Sequence, residues 1–263
     1  MTPLGNLLGL PRSVEAVAEF PCVQTCGGSQ VGSASVPALR YRTRMPDRIA
    51  ESFASSPRRH RLPAVLLGLT LALLAWSAYR PHDYPTWALE VFPAVLWIVV
   101  LIATYRRFPM TPLLYGLTAL HCALLIVGGH YTYSEVPIGN WARDTFDLSR
   151  NHYDRVGHFL QGFVPAILAR EILIRTSPVK RGWWLVLFIM SICTAFSAVY
   201  ELIEWAVAEI DAEGSQDFLG TQGDVWDTQK DILLCIKGAA ASLVTLSRLH
   251  DGHLRTLHGR EQT

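Results

Sequence analysis

Between residues 63 and 246 the chain alternates long apolar runs with short polar breaks. Six runs stand out, at 63–79, 87–105, 111–129, 155–174, 183–205 and 224–246. A helix needs about 20 predominantly apolar residues to cross a hydrocarbon core of ~30 Å, and each run has roughly that length. The pattern predicts an all-α, polytopic membrane protein, a bundle of six transmembrane helices over residues 62–248. Residues 1–61 hold no run long enough to span and are rich in Gly, Ser, Pro and Arg. They read as a disordered basic N-terminal extension, and Met45 is an alternative natural start. No apolar core sits between a basic start and a cleavage site, so this stretch does not read as a signal peptide. Residues 249–263 read as a short cytoplasmic tail.

Basic residues near the segment ends set the orientation, because cytoplasmic loops are enriched in Lys and Arg. One side collects Arg58, Arg59, Arg61, Arg106, Arg107, Arg175, Lys180, Arg181, Arg248, Arg255 and Arg260. The other has Arg80, Arg143, Arg150 and Arg155, spread over longer loops. Both termini are therefore expected in the cytoplasm. Trp87, Trp141, Trp183, Trp184, Trp205 and Trp226 fall at or near segment ends, as an interfacial aromatic belt requires.

The last three segments break the apolar pattern in a regular way. Asn151, Asp154, His158 and Gln161 stand at offsets of 0, 3, 7 and 10, and so do Thr194, Ser197, Glu201 and Glu204. Asp224, Asp227 and Asp231 are spaced by 3 and 4. Each set lies on one helical face, and with the orientation above all three sit at the outer ends of their segments. Glu90, His130, Tyr131, Tyr133 and Glu135 fall on the same side. Each element has an ordinary structural reading: Asp224 and Asp227 as first-turn acids favoured by the helix dipole, Thr221 as an N-cap, His158 as a packing residue. Asp231 and Glu201 resist it, since they lie a turn or two inside their helices, where a carboxylate costs a few kcal/mol.

Carboxylates crowded in low dielectric either take up protons or share a cation. Arg155 and Lys230 are too few to balance Asp154, Glu201, Glu204, Asp224, Asp227 and Asp231. An oxygen-rich set with one histidine suits Mg, Mn or Zn. The expected ligands are His158, Glu201, Glu204, Asp224, Asp227 and Asp231, and the expected catalytic groups are Asp154, His158, Glu201, Glu204, Asp227 and Asp231. No H-E-x-x-H stretch accompanies them.

Composition agrees with the segment pattern: 50% hydrophobic residues, 17% charged and a mean hydropathy of +0.23 exclude an ordinary soluble domain. A net charge of +1 without a basic stripe excludes nucleic acid as a partner. Cys122, Cys193 and Cys235 lie in apolar runs and read as small buried hydrophobes. Cys22 and Cys26 lack the second pair a zinc site needs.

The stretches "YTYSEVPIG", "HYDRVGHFLQGF", "SAVYELIEW" and "GTQGDVWDTQKDILL", in this order, resemble the bacterial inner-membrane family typified by YjdF. The resemblance covers residues 63–246 and implies a multi-pass protein of the bacterial inner membrane, with no activity to carry over. A fainter similarity is to VanZ-like membrane proteins, whose D-K-x-x-H helix start Asp154, Arg155 and His158 resemble. Asp231 departs from that pattern, which tends toward Asn there. The polar cluster itself, with Asp227, Asp231, Glu201, Glu204 and His158 as ligands or acid/base groups, sets the first expectation: a metal-dependent membrane enzyme acting at the outer leaflet on a lipid or lipid-linked envelope substrate. The alternatives are a proton- or cation-coupled transporter and a non-catalytic accessory protein.

Overall fold

The structure is a computed structural model that describes residues 57–210 and 221–259. The expectations placed on the N-terminal extension, on Cys22 and Cys26, and on residues 211–220 and 260–263 lie outside the described residues. Seven α-helices occur among those that are described: α1 Pro57–Ser77, α2 Tyr84–Thr104, α3 Pro112–Tyr131, α4 Pro137–Phe146, α5 Tyr153–Thr176, α6 Trp183–Ile210 and α7 Asp227–Gly259. A 3-10 turn, Tyr133–Glu135, joins α3 to α4.

Local chemistry sets several starts. Asp83 accepts a hydrogen bond from Thr86 N at 2.8 Å and caps α2, while Thr111 caps α3 through Leu114 N at 3.4 Å. In both cases a proline in the first turn fills a position whose N–H has no intrahelical partner. Five helices are long and apolar enough to cross a membrane: α1, α2, α3, α6 and α7. Their outward faces carry exposed Val65, Leu69, Phe92, Val99, Val199 and Leu202, the surface a lipid solvent accepts.

The sixth expected segment, α5, has 24 residues, or ~36 Å at ~1.5 Å each. Its polar and charged residues keep it out of the apolar group, yet it is the most enclosed helix, with Asp154, His158, Gln161, Arg170 and Glu171 all buried. It packs on α3, α6 and α7, while α1 and α2 pack on α3. A polar helix is thus sheltered by apolar neighbours.

The contact between α5 and α7 is the most extensive in the bundle, and two glycines make it possible. A Cβ on Gly162 would stand 1.8 Å from Cys235 O, and one on Gly238 would stand 1.9 Å from Phe159 O. Small residues at such positions let backbones touch, which in lipid replaces hydrophobic drive with close packing. Ala166, Ala169, Cys193, Cys235 and Ala239 continue the seam as a buried cluster.

The last helix runs further than its hydropathy suggests. The apolar run ends near residue 246, but α7 continues to Gly259 because His250, Leu254 and Leu257 keep a buried face at helical spacing. The helical part of the expected tail is therefore packed against the bundle.

Candidate functional site

α5 and α7 both begin at the expected outer side and α6 ends there, so three helix termini meet. Asp154, His158 and Gln161 project from the first three turns of α5, Ser197 and Glu201 from the last half of α6, and Asp227 and Asp231 from the start of α7; all are buried. Asp154, His158 and Asp231 each offer a ligand atom within 4.8 Å of the others. His158 Nε2 lies 3.4 Å from Asp154 Oδ1. Its Nδ1 is 3.0 Å from Gln161 Oε1 and 3.5 Å from Glu201 Oε1. With Nδ1 toward Gln161, Nε2 faces the Asp154 carboxylate, so one ring joins the two side chains.

The remaining sequence-derived residues are handled differently. Asp227 is paired with Arg150, which also donates to Thr221 O at 2.9 Å and lies 4.0 Å from Asp154. Asp224 stands in the turn before α7, where Arg155 donates to it at 2.6 Å and Lys230 pairs with it. The hydrogen bond from Lys230, then that from Trp226 N, hold its carboxyl below the usual carboxylate range. Glu204 is half-buried a turn beyond Glu201 and acts electrostatically on His158. The structure thus brings Asp154, His158, Asp231 and Glu201 together, and leaves Asp224 with Arg155 and Lys230.

Two buried carboxylate oxygens in this group stand out. Asp231 Oδ1 and Glu201 Oε1 have no hydrogen-bond partner, although Thr228 hydrogen-bonds the Glu201 side chain. Asp231 is only 2% exposed. Once Asp227 is matched to Arg150, the carboxylates of Asp154, Glu201, Glu204 and Asp231 face His158 and the far edge of Arg150. That excess of acid is what a buried cation or shared protons would offset.

The segment between α4 and α5 and the turn before α7 roof the cluster. Asn151 donates to Val136 O at 3.1 Å and to Asn140 Oδ1 at 3.0 Å, and it accepts from Tyr153 N at 3.0 Å. Gln222 makes two bonds to the Asn151 backbone, at 3.0 and 2.9 Å. His152, beside it, has its imidazole held below its ordinary value by burial and then by Arg155 and Arg150, so it stays neutral near pH 7. Glu90, Thr132 and Tyr133 form a separate knot, with Thr132 Oγ1 donating to Glu90 at 3.2 Å. His130 binds Ser77 O at 3.0 Å, and Glu135 holds Asn140 at 3.1 Å.

Sequence reasoning missed a second charged network at the other end of α5. Glu171 is fully buried and accepts from Thr111 N at 3.0 Å, Thr111 Oγ1 at 2.7 Å and Arg175 at 2.7 Å. His250 Nε2 lies 3.0 Å from it. Arg170 contacts His250 Nδ1 at 2.8 Å and donates to Asp251 at 2.7 Å. The available signal was the Arg170–Glu171 pair inside an apolar run, with Arg175 one turn on. Arg150 was missed as a site residue because it lies in a loop, three residues ahead of the helix.

These features define a class: a multi-pass α-helical membrane protein with a buried acid–histidine cluster at one end of its three C-terminal helices. The chain belongs to the family described as "Predicted membrane protein (DUF2238)", whose match covers residues 62–252. It is similar to the Inner membrane protein YjdF of Escherichia coli (strain K12), at 47% identity over 189 residues, 72% of this chain and 90% of that protein. It is accordingly a multi-pass protein of the inner membrane. No solved structure matches the chain.

Proposed function

We propose that this protein binds a divalent cation through Asp154, His158 and Asp231, with Glu201 as a fourth donor, and that the bound cation serves hydrolysis of a lipid or lipid-linked substrate at the outer leaflet. In this reading α5 is a sixth crossing helix, and both termini lie in the cytoplasm. The observation that carries it is the set of three buried ligand atoms within 4.8 Å, next to two buried carboxylate oxygens that lack hydrogen-bond partners. Ligands ~2.1 Å from an ion are at most ~4.2 Å apart, so movements of under an ångström would close the set.

The cation would lower the pKa of a bound water and polarise a substrate oxygen. The chain's own residues supply the rest: Gln161 orients the His158 ring, Arg150 keeps Asp227 out of the ligand set, and Glu201 stands close enough to accept a proton from water beside His158. The depth of the cluster favours an interfacial reaction over transport, since transport sites sit near the bilayer midplane.

The test is metal content by mass spectrometry of protein purified without chelator, for wild type, Asp231→Asn and Glu201→Gln. Near-stoichiometric Mg, Mn or Zn in the wild type, lost from Asp231→Asn in protein that still inserts, supports the proposal. No bound metal in the wild type, even after dialysis against each ion, overturns it in favour of a packing network in an accessory protein.

A further inference from the structure

At the end of the bundle opposite the acidic cluster, α1, α2 and α3 enclose a cleft of about 660 Å³. It exists because α1 packs on α3 but barely touches α2. Its mouth carries His60, Tyr105, Arg106 and Arg107, with His60 Nδ1 and Tyr105 OH 2.6 Å apart. Inward, the lining turns mainly apolar as far as Thr70 on α1 and Cys122 on α3, and none of the lining residues among those described is a carboxylate.

We infer that this cleft binds an anionic phospholipid of the leaflet opposite the acidic cluster, its headgroup on Arg106 and Arg107 and one acyl chain between α1 and α2. Three observations support this occupant. The cleft runs from His60 to Thr70 along α1, ten residues or ~15 Å at ~1.5 Å each, which is half of a ~30 Å hydrocarbon core and therefore one leaflet. Its volume falls within the ~300–1,000 Å³ of ordinary ligand sites. Its polarity is graded from two exposed guanidinium groups at the mouth to a mainly apolar interior with Thr70, Tyr115 and Thr118 its uncharged polar residues, complementary to a phosphate joined to an alkyl chain. Basic pockets between spanning helices on the cytoplasmic side take such headgroups, and Arg106 and Arg107 fall on the basic side of the chain.

The planar, multi-donor fork of arginine suits a phosphate oxygen pair. Each basic residue at an anionic surface is worth roughly fivefold in binding, so removing both arginines should weaken binding roughly thirtyfold.

The test uses the full chain in detergent, titrated with phosphatidylglycerol or with phosphatidylcholine of the same chain length and read by native mass spectrometry. Three variants are compared with wild type: Arg106→Gln/Arg107→Gln, the cleft-filling Ala119→Phe, and a chain lacking residues 1–44. The expected result is preferential retention of phosphatidylglycerol, lost roughly thirtyfold in the double arginine variant with phosphatidylcholine binding unchanged. Ala119→Phe should lower both lipids at an unaltered melting temperature. Equal binding of the two lipids by wild type, or wild-type affinity in both point variants, overturns the inference. Lipid retention only after removal of residues 1–44 also overturns it, because the chain's own N-terminal segment would then be the occupant.

Discussion

The two ends of α5 carry buried charge in comparable amount and handle it in opposite ways. At one end Glu171, fully buried, is met by Thr111, Arg175 and His250, and the adjoining Arg170 is met by His250 and Asp251. At the other, Asp154, His158, Asp231 and Glu201 converge with two oxygens left without hydrogen-bond partners. Glu171 lies 17 residues from Asp154, ~25 Å along the helix at ~1.5 Å per residue. A charge network built only to hold helices together satisfies itself, as the Glu171 end does. The acid–histidine end is left short of partners, and that shortfall is the basis of the cation proposed there.

Removing the acid from each end separates these roles most sharply. Glu171→Ala leaves His250 buried without its acidic partner and Arg175 with only the Pro109 carbonyl, and breaking one side of a buried pair is destabilising by about 3–5 kcal/mol. Thermal unfolding in detergent should show a large drop in melting temperature. Asp231→Asn removes a charge that has no hydrogen-bond partner at Oδ1, so without added metal its melting temperature should equal or exceed that of wild type. Added Mn or Mg should raise the wild-type melting temperature and leave this variant unmoved, since a ligand stabilises only the state that binds it. Equal destabilisation by Glu171→Ala and Asp231→Asn would erase the distinction between the two ends.

A smaller effect is expected from the seam between the two networks. Gly162→Ala places a methyl group where Cys235 O stands 1.8 Å away, so the α5 and α7 backbones must separate. Overpacking of this kind costs about 1–3 kcal/mol. Gly162 is four residues from His158 and nine from Glu171, so the wedge opens closer to the acid–histidine cluster. Metal content should fall more steeply than melting temperature. Full metal content in a folded Gly162→Ala protein would show that the cluster tolerates misalignment, against the geometry proposed for it.

Much of this architecture was legible in the linear pattern. Five of the six expected apolar segments correspond to helices long and apolar enough to span, and the all-helical class follows from them. Period-3.6 spacing placed Asp154, His158 and Gln161 on one face and Ser197 and Glu201 on another, and those residues are buried together. Spacing alone could not sort the acids by partner. Asp224 and Asp227 share a helical period with Asp231, yet Arg155, Lys230 and Arg150 reach only the first two. Arg150 approaches from a loop, and the bond it makes spans 77 positions of sequence, a separation no local period encodes. The Glu171 network was hidden for a related reason: its partners come from two helices and the N-cap residue of a third, and His250 and Asp251 lie past the end of the last apolar run, where hydropathy falls although the helix continues.

The weakest expected effect belongs to Asp224, the first of the three spaced aspartates. Arg155 and Lys230 both reach its carboxylate, but Lys230 is largely exposed and the pair faces solvent; such pairs add little and are screened by salt. Its carboxyl is held below the ordinary range, chiefly by the hydrogen bond from Lys230. A carboxyl lowered in the folded state stabilises the fold at every pH above its ordinary value of about 3.9 and loses that contribution as pH falls through the lowered value. Asp224→Asn should therefore leave the melting temperature at pH 7 almost unchanged, reduce its salt dependence slightly, and flatten its fall only below about pH 4. Metal content should stay at the wild-type level, since Asp224 is occupied by cations of the chain itself. A clear loss of metal in Asp224→Asn would place this residue in the ligand set after all, and would mean that Arg155 and Lys230 release it when the ion binds.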